Sequence, residues 1–327
     1  MNKRRFKEED YINFLVAAQK SYSCKEAEKV QPFKKNAANH DSINRLLHRT
    51  NPTTERLWEE SSPQINKKTG LLILDDSTLD KPYSKQIELV SNHWSGKHKR
   101  TVKGINLLSI LWTNGDKNIP LDFRLYDKPN DNKSKNDHFK DLVERAYSRG
   151  LQPEYTCFDS WYGSVSNLKL INRLDWLWLT CLKKNRLVNP DKKGNVNISD
   201  VDIPKEGRVI HLKAYGMIKV FKMVSKNGRI KYWASNDLNM NELKRLSVAE
   251  KTWGIENYHR GLKQFCGVEK SQVRSATAQH NHISFSIRAF LRFEVYFYKT
   301  GHSWFEAKML IIRHAIRDYI SNPCYLL

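Results

Sequence analysis

The sequence predicts an α/β fold whose core is interrupted by a β-rich insertion and bracketed by helical N-terminal and C-terminal regions. Three observations carry the prediction. Two short apolar runs, Leu71-Leu72-Ile73-Leu74 and Tyr155-Thr156-Cys157-Phe158, each run straight into aspartate, the pattern of strands buried on both faces. Segments with apolar residues at helical spacing alternate with such runs between residues 67 and 185. Beyond them Gly194, Gly207, Gly216 and Gly228 punctuate alternating apolar-polar stretches, the signature of hairpins.

Taken in order, residues 1–66 read as three or four short helices. Tyr11, Phe14, Leu15 and Ala18 stripe a helix over 8–20. Ser23 caps a second over 24–30, which stops before Pro32, and Asp41-Ser42 caps a third over 43–48. Asn51-Pro52-Thr53-Thr54 opens a fourth through 60. The segment reads equally as a small DNA-binding domain with Arg45 and Arg49 exposed, or as a helical cap on the next domain. Residues 67–185 form the first part of the core. Its strands lie at 71–74, 104–113, 119–126, 155–158 and 176–182, and its helices at 138–150 and 164–174, with a polar loop over 128–134. Residues 186–237 are the β-rich insertion, and helices over 238–327 complete the core.

The chain has 327 residues, of which 39% are apolar, enough to bury a core. It carries 56 Lys and Arg against 35 Asp and Glu, a net charge of +21. Such a field attracts a polyanion. The basic residues recur along the chain instead of gathering on one amphipathic helix, which favours a nucleic-acid backbone over a membrane surface. No apolar run is long enough to span a bilayer, and the basic N-terminus lacks the apolar stretch of a signal peptide. Five widely spaced cysteines without a CxxC argue against a zinc site or a disulfide framework, and fit a reducing compartment.

The chemistry lies in the acids. In open α/β sheets, reactive groups gather at the carboxyl ends of strands. Asp75-Asp76 and Asp159 sit at two such ends. A lone aspartate there is an ordinary turn cap; two that converge repel unless a cation neutralises them, and an all-oxygen donor set suits Mg²⁺ or Mn²⁺. A third acid joins them. Residues 251–265 read as one helix with Ile255, Tyr258, Leu262 and Phe265 on its apolar stripe, and with Glu256, His259, Arg260 and Lys263 on the neighbouring one. His259 on that stripe either faces the ligand or packs.

These pieces resemble the DDE transposases of bacterial insertion sequences that carry a β-strand insertion before the glutamate. The likeness rests on Leu72-Ile73-Leu74-Asp75-Asp76-Ser77-Thr78, on Phe158-Asp159-Ser160-Trp161-Tyr162-Gly163, on Trp233-Ala234-Ser235-Asn236-Asp237, and above all on Trp253-Gly254-Ile255-Glu256-Asn257-Tyr258-His259-Arg260-Gly261-Leu262-Lys263-Gln264. It implies an RNase H-like core with three carboxylates, Asp76, Asp159 and Glu256, holding two Mg²⁺ ions that Mn²⁺ can replace. Asp76 is preferred to Asp75 because the family's aspartate directly precedes Ser or Thr, and because adjacent strand residues face opposite sides.

The resemblance also implies Mg²⁺-dependent cleavage and strand transfer. A metal-activated water cuts at the element end, and the freed 3′-hydroxyl attacks DNA without a covalent enzyme intermediate. Its substrates are double-stranded terminal inverted repeats and target DNA, its working form a homodimer on paired ends, and its place the bacterial cytoplasm at the nucleoid. Lys97, Lys99, Arg100 and Lys103, in the loop after the first strand, become phosphate binders with Arg260 and Lys263, while Trp94 and Trp161 are positioned to stack on an unpaired base. Of the family's Tyr-x2-Arg-x3-Glu-x6-Lys signature, Lys263 matches the lysine, but Ala249 and Thr252 replace the tyrosine and arginine; Lys244, Arg245 and Lys251 are the bases nearby. Two other readings use the same scaffold: a DNA-binding protein that does not cut, and a nuclease without strand transfer.

Overall fold

The computed structural model describes residues 6–32, 37–95 and 100–324. It opens with four helices, α1 (Glu8–Ala17), α2 (Cys24–Lys29), α3 (His40–Arg49) and α4 (Glu55–Ser61). The Ser23 hydroxyl accepts from the Glu26 amide at the start of α2, as the sequence indicates. Helix α3 begins earlier than its apolar spacing implies, because Asn39 caps it by accepting from the Ser42 amide.

The core elements come next: β1 (Leu71–Asp80), β2 (Ser91–Ser95), β3 (Arg100–Thr113), β4 (Asn118–Tyr126), α5 (Lys135–Ser148), β5 (Tyr155–Phe158), α6 (Val165–Arg173) and β6 (Trp178–Leu182). The insertion contributes β7 (Leu187–Asn189), β8 (Val196–Asn197), β9 (Arg208–Leu212), β10 (Gly216–Val224) and β11 (Ile230–Ser235). Four helices close the chain: α7 (Glu242–Lys251), α8 (Trp253–Phe265), α9 (Ala276–Thr300) and α10 (Trp304–Ser321). No described helix is long and apolar enough to cross a membrane.

Two expectations need correction. The first strand does not end at its acids; β1 runs through both to Asp80. Polar residues stay in a strand when a neighbour takes up their backbone groups, and β3 does so. The Lys81 amide donates to the Lys103 carbonyl, and Gly104 lies so near the Leu79 carbonyl that a Cβ there would fall 2.3 Å away. Strand β2, absent from the sequence reading, pairs antiparallel with β3, Ser91 opposite Gly104 and Trp94 opposite Thr101. The glutamate helix read over 251–265 is α8; a separate helix, α7, precedes it, and the two meet at Thr252, whose hydroxyl donates to the Ala249 carbonyl at 2.6 Å. The residues at the absent tyrosine and arginine positions thus lie at that junction.

The chain forms two compact units. One comprises residues 65–76 and 108–256. Its strands run β3-β1-β5-β6-β11-β10-β9-β7-β8, with β4 on β3. β1, β5 and β6 are parallel, Leu74 opposite Phe158 and Phe158 opposite Thr180. β11 then pairs antiparallel with β6, so the insertion extends the same sheet. Leu71–Leu74 and Tyr155–Phe158 are buried throughout, as expected of strands covered on both faces. Ser134 caps α5 with a reciprocal bond from Asp137, and Ser164 caps α6.

The other unit comprises 1–64, 77–107 and 257–327. Here α1, α3, α4 and α10 pack on α9, which is buried from Ala278 to Leu291 except at His280. The polar residues of α9 find partners inside. Asn281 donates to the Leu47 and Thr50 carbonyls, and the Arg288 guanidinium binds Glu60 and Glu8.

Candidate active site

The unit of residues 65–76 and 108–256 holds four carboxylates close enough to feel one another: Asp75, Asp76, Asp159 and Glu256. Parallel pairing places them. The last paired residues of β1 and β5 are Leu74 and Phe158, so Asp75 and Asp159 each come next at the same level of adjacent strands, on the same face. Asp76, one residue on, faces the other way. The end of β5 is held by Thr180, whose hydroxyl donates to the Phe158 carbonyl at 2.7 Å.

Asp75 carries the strongest perturbation. Burial, then the charges of Asp76, Asp159 and Glu256, push its carboxyl well above the usual carboxylate range. Asp159 reaches solvent, yet the protein mass around its carboxyl and the nearby Asp76 still raise it; the Trp161 amide, donating to Oδ1 at 2.7 Å, and Lys183 act the other way. Asp76 is the engaged member. Lys135 at the start of α5 meets Oδ2 at 2.8 Å, and the buried Tyr162 hydroxyl donates to Oδ1 at 2.6 Å. Tyr162 is fixed by its ring, stacked on Phe139 at 5.2 Å and 13°. Burial and Asp76 push its hydroxyl far up, so it stays a donor.

Glu256 is exposed on the first turns of α8. Two residues earlier Gly254 packs so closely on Asn118 that a Cβ would fall 2.1 Å from its Oδ1, which pins this turn against β4. Trp253, on the same helix face one turn before Glu256, is 65% exposed; the sequence shows it in the motif but gives it no role. Trp161 is 57% exposed with the Lys183 ammonium 5.3 Å from its ring centroid. Lys135, Tyr162 and Lys183 were likewise missed; only the fold brings them to the acids.

The remaining expected residues lie in the other unit. Trp94 is 70% exposed on β2. Arg100 and Lys103 are exposed on β3, not in a loop, and Lys97 and Lys99 fall outside the described residues. Arg260 is exposed, whereas Lys263 donates to the Thr78 carbonyl at 2.6 Å and pairs with Glu269 at 3.1 Å. His259 is buried, which settles it as a packing residue.

The donor set suits a hard divalent cation, because burial and neighbouring acids raise the Asp75 and Asp159 carboxyls and a cation would relieve that repulsion. Among the described residues, however, no three acids or histidines stand near enough to hold an ion as they are. Lys135 supplies the positive charge nearest Asp76.

A profile of the DDE superfamily endonucleases matches residues 14–220, which takes in Asp75, Asp76 and Asp159 and stops before Glu256. Among curated proteins, none matches the sequence. Among solved structures, the chain is similar to a piggyBac transposase synaptic complex with hairpin DNA, at 10% identity over 96% of this chain and 72% of that one, with a TM-score of 0.51. A Drosophila P element transposase strand transfer complex matches at 8% identity over 98% and 88%, TM-score 0.31. The Mos1 strand transfer complex matches at 10% identity over 54% and 58%, TM-score 0.20. The first of these places the fold with the RNase H-like transposase cores. With the profile spanning most of the chain, and with Asp75 and Asp159 level on adjacent parallel strands, the chain belongs to the DDE superfamily endonucleases and is an enzyme.

Proposed function

We propose that this chain cuts and joins DNA at the ends of a mobile element, with Asp159, Glu256 and an aspartate of β1 as the donors for two Mg²⁺ ions, which Mn²⁺ can replace. The observation that carries the reading is the gathering of carboxylates within β1, at the end of β5 and on α8. The sequence favours Asp76 as the β1 donor. The register with Asp159 and the charge of Glu256 favour Asp75; Asp159 also feels Asp76, but Asp76 already satisfies Lys135 and Tyr162. On this reading Asp75 is the donor, and Asp76 positions the strand end through Lys135 and Tyr162.

When bound, the two cations supply charge neutralisation at the phosphate and activation of the attacking oxygen, first a water and then the freed 3′-hydroxyl. The chain's own groups bind and orient. Arg100, Lys103 and Arg260, all exposed, bind backbone phosphates on this reading, and the exposed Trp94, Trp161 and Trp253 stack on unpaired bases. Lys263, turned toward Glu269, has first to leave that pair before it meets DNA. The substrates are terminal inverted repeats and target DNA, brought together by two copies of the chain in the cytoplasm.

The test uses purified protein and a labelled repeat end with Mg²⁺. Cutting is expected from the wild type and lost by at least about a hundredfold in Asp159→Asn, Glu256→Gln and Asp75→Asn, on the order of the loss when a transition-state contact is removed, with DNA binding retained. Normal cutting by Glu256→Gln would sink the assignment. If Asp76→Asn is the dead variant and Asp75→Asn is not, the β1 donor is Asp76. Ala249 and Thr252 favour one other reading, a DNA-binding protein that does not cut. Repeat binding by the wild type without any Mg²⁺-dependent product selects it, and cutting without joined products selects a nuclease.

A further inference from the structure

One cation in the acid-bearing unit sits where burial disfavours it. Arg245 on α7 is 1% exposed, yet it forms no ion pair among the described residues. Its Nη2 donates to the Met223 thioether at 3.2 Å, its Cζ lies 5.7 Å from the Phe221 ring centroid, and its Nε is buried without a partner. A thioether is a weak acceptor. Buried charges are ordinarily paired, and an orphaned buried donor calls for a group that completes it.

The sheet face against Arg245 is built in rows. Cys181, Trp233 and Phe221 are register partners across β6, β11 and β10, and Lys231 and Met223 are partners in the next row. Carrying β6 on by one residue brings Lys183 beside Lys231. Neither lysine makes an ion pair among the described residues. Lys183 lies within electrostatic reach of Asp159, and Lys231 and Arg245 both lie within reach of Cys181. Three unpaired cations therefore lead away from one acid of the site along a single face.

We infer that Lys183, Lys231 and Arg245 form a phosphate track for the DNA strand held at Asp159, with Arg245 as its anchor. A phosphodiester oxygen takes the place of the Met223 sulfur on the guanidinium, and Met223, half-buried and unbranched, is the movable cover. The inference rests on the reading of the chain as a DNA-cutting enzyme and names part of its substrate path.

The experiment uses the full chain and a duplex of arbitrary sequence, without divalent metal, titrated across a range of salt. Arg245→Met keeps the side-chain volume and removes the buried charge. It is expected to melt at or above the wild-type temperature, because the burial penalty is gone. It is also expected to bind DNA about tenfold more weakly with a log-log salt slope shallower by about one. Lys226→Met, in the β10–β11 turn, serves as control, with a change in slope no larger than that of a peripheral charge. If Arg245→Met folds poorly, the double variant Lys183→Met with Lys231→Met carries the test, with a slope shallower by about two. An unchanged affinity and slope in Arg245→Met, or in the double variant, overturns the inference. Failure of the wild type to bind DNA at all would instead remove the functional reading beneath it.

Discussion

At the scale of single residues, the site depends on a glycine that the chemistry never touches. Gly254 lets α8 approach Asn118 more closely than any side chain permits. Gly254→Ala adds one methyl group that overlaps the Asn118 amide, and the expected loss is about 1–3 kcal/mol. Glu256, two residues away, shifts with the helix, so cutting should fall more than stability alone explains. Combining it with Asn118→Ala removes the overlapping amide, and the pair is expected to be less damaged than the sum of the singles. Urea midpoints of the four proteins measure this; strictly additive losses would mean the contact is not the cause. Tyr162 works by a similar logic, because its stacked ring fixes where its hydroxyl meets Asp76.

At the scale of elements, α9 carries the second unit, and its buried ions are the sensitive point. Arg288 is 5% exposed and donates to Glu60 Oε1 from both Nε and Nη2, at 3.0 and 2.6 Å. Burial alone would raise the Glu60 carboxyl, but the bonds and charges of Arg288 and Arg292 outweigh it and hold the group low. Glu60→Ala takes two hydrogen bonds from a buried guanidinium, leaving it Glu8 alone, and is expected to cost on the order of 2 kcal/mol. Its neighbour Glu59 pairs with Arg56 at 3.0 Å with both side chains more than half exposed. Glu59→Ala should therefore change stability by less than about 1 kcal/mol. Equal effects of the two variants on the urea midpoint would refute the argument from burial. Lys308 is a smaller device of the same kind, since its ammonium caps the Leu15 and Ala18 carbonyls at the end of α1 and so ties α10 to α1.

At the scale of the whole molecule, stability and function respond to solution conditions in different ways. His282 is fully buried between Tyr11 and the Gly267 carbonyl. With Nε2 donating to that carbonyl and the Tyr11 hydroxyl donating to Nδ1, the ring is held neutral. Burial, helped by the charge of Lys81, lowers its pKa to about 4 from 6.5. Below 6.5 the unfolded chain takes up a proton that the folded unit refuses until about 4, so stability falls as pH drops through that window. The loss at the foot of the window is on the order of 3 kcal/mol. A thermal melt series from neutral pH down through that window should show the decline, and His282→Gln should flatten it; an unflattened decline would assign it elsewhere. On the proposed reading the +21 charge acts on function instead, and DNA affinity is expected to fall steeply with added salt.

The sequence by itself determined the fold class, the order of most core elements, and the acids that follow the two apolar runs. Each of these comes from local signals: apolar runs, helical spacing, capping serines and the residues that interrupt them. It missed what depends on a neighbour distant in the chain. β1 continues past Leu74 because β3 receives its backbone groups. The same holds in the site. Aspartates at 75, 76 and 159 were visible as letters, but their faces depend on parallel register, which no local pattern encodes. Lys135, Tyr162 and the unpaired Arg245 come to attention only where separate segments meet, because burial and charge are properties of the packed surroundings and not of the residue alone.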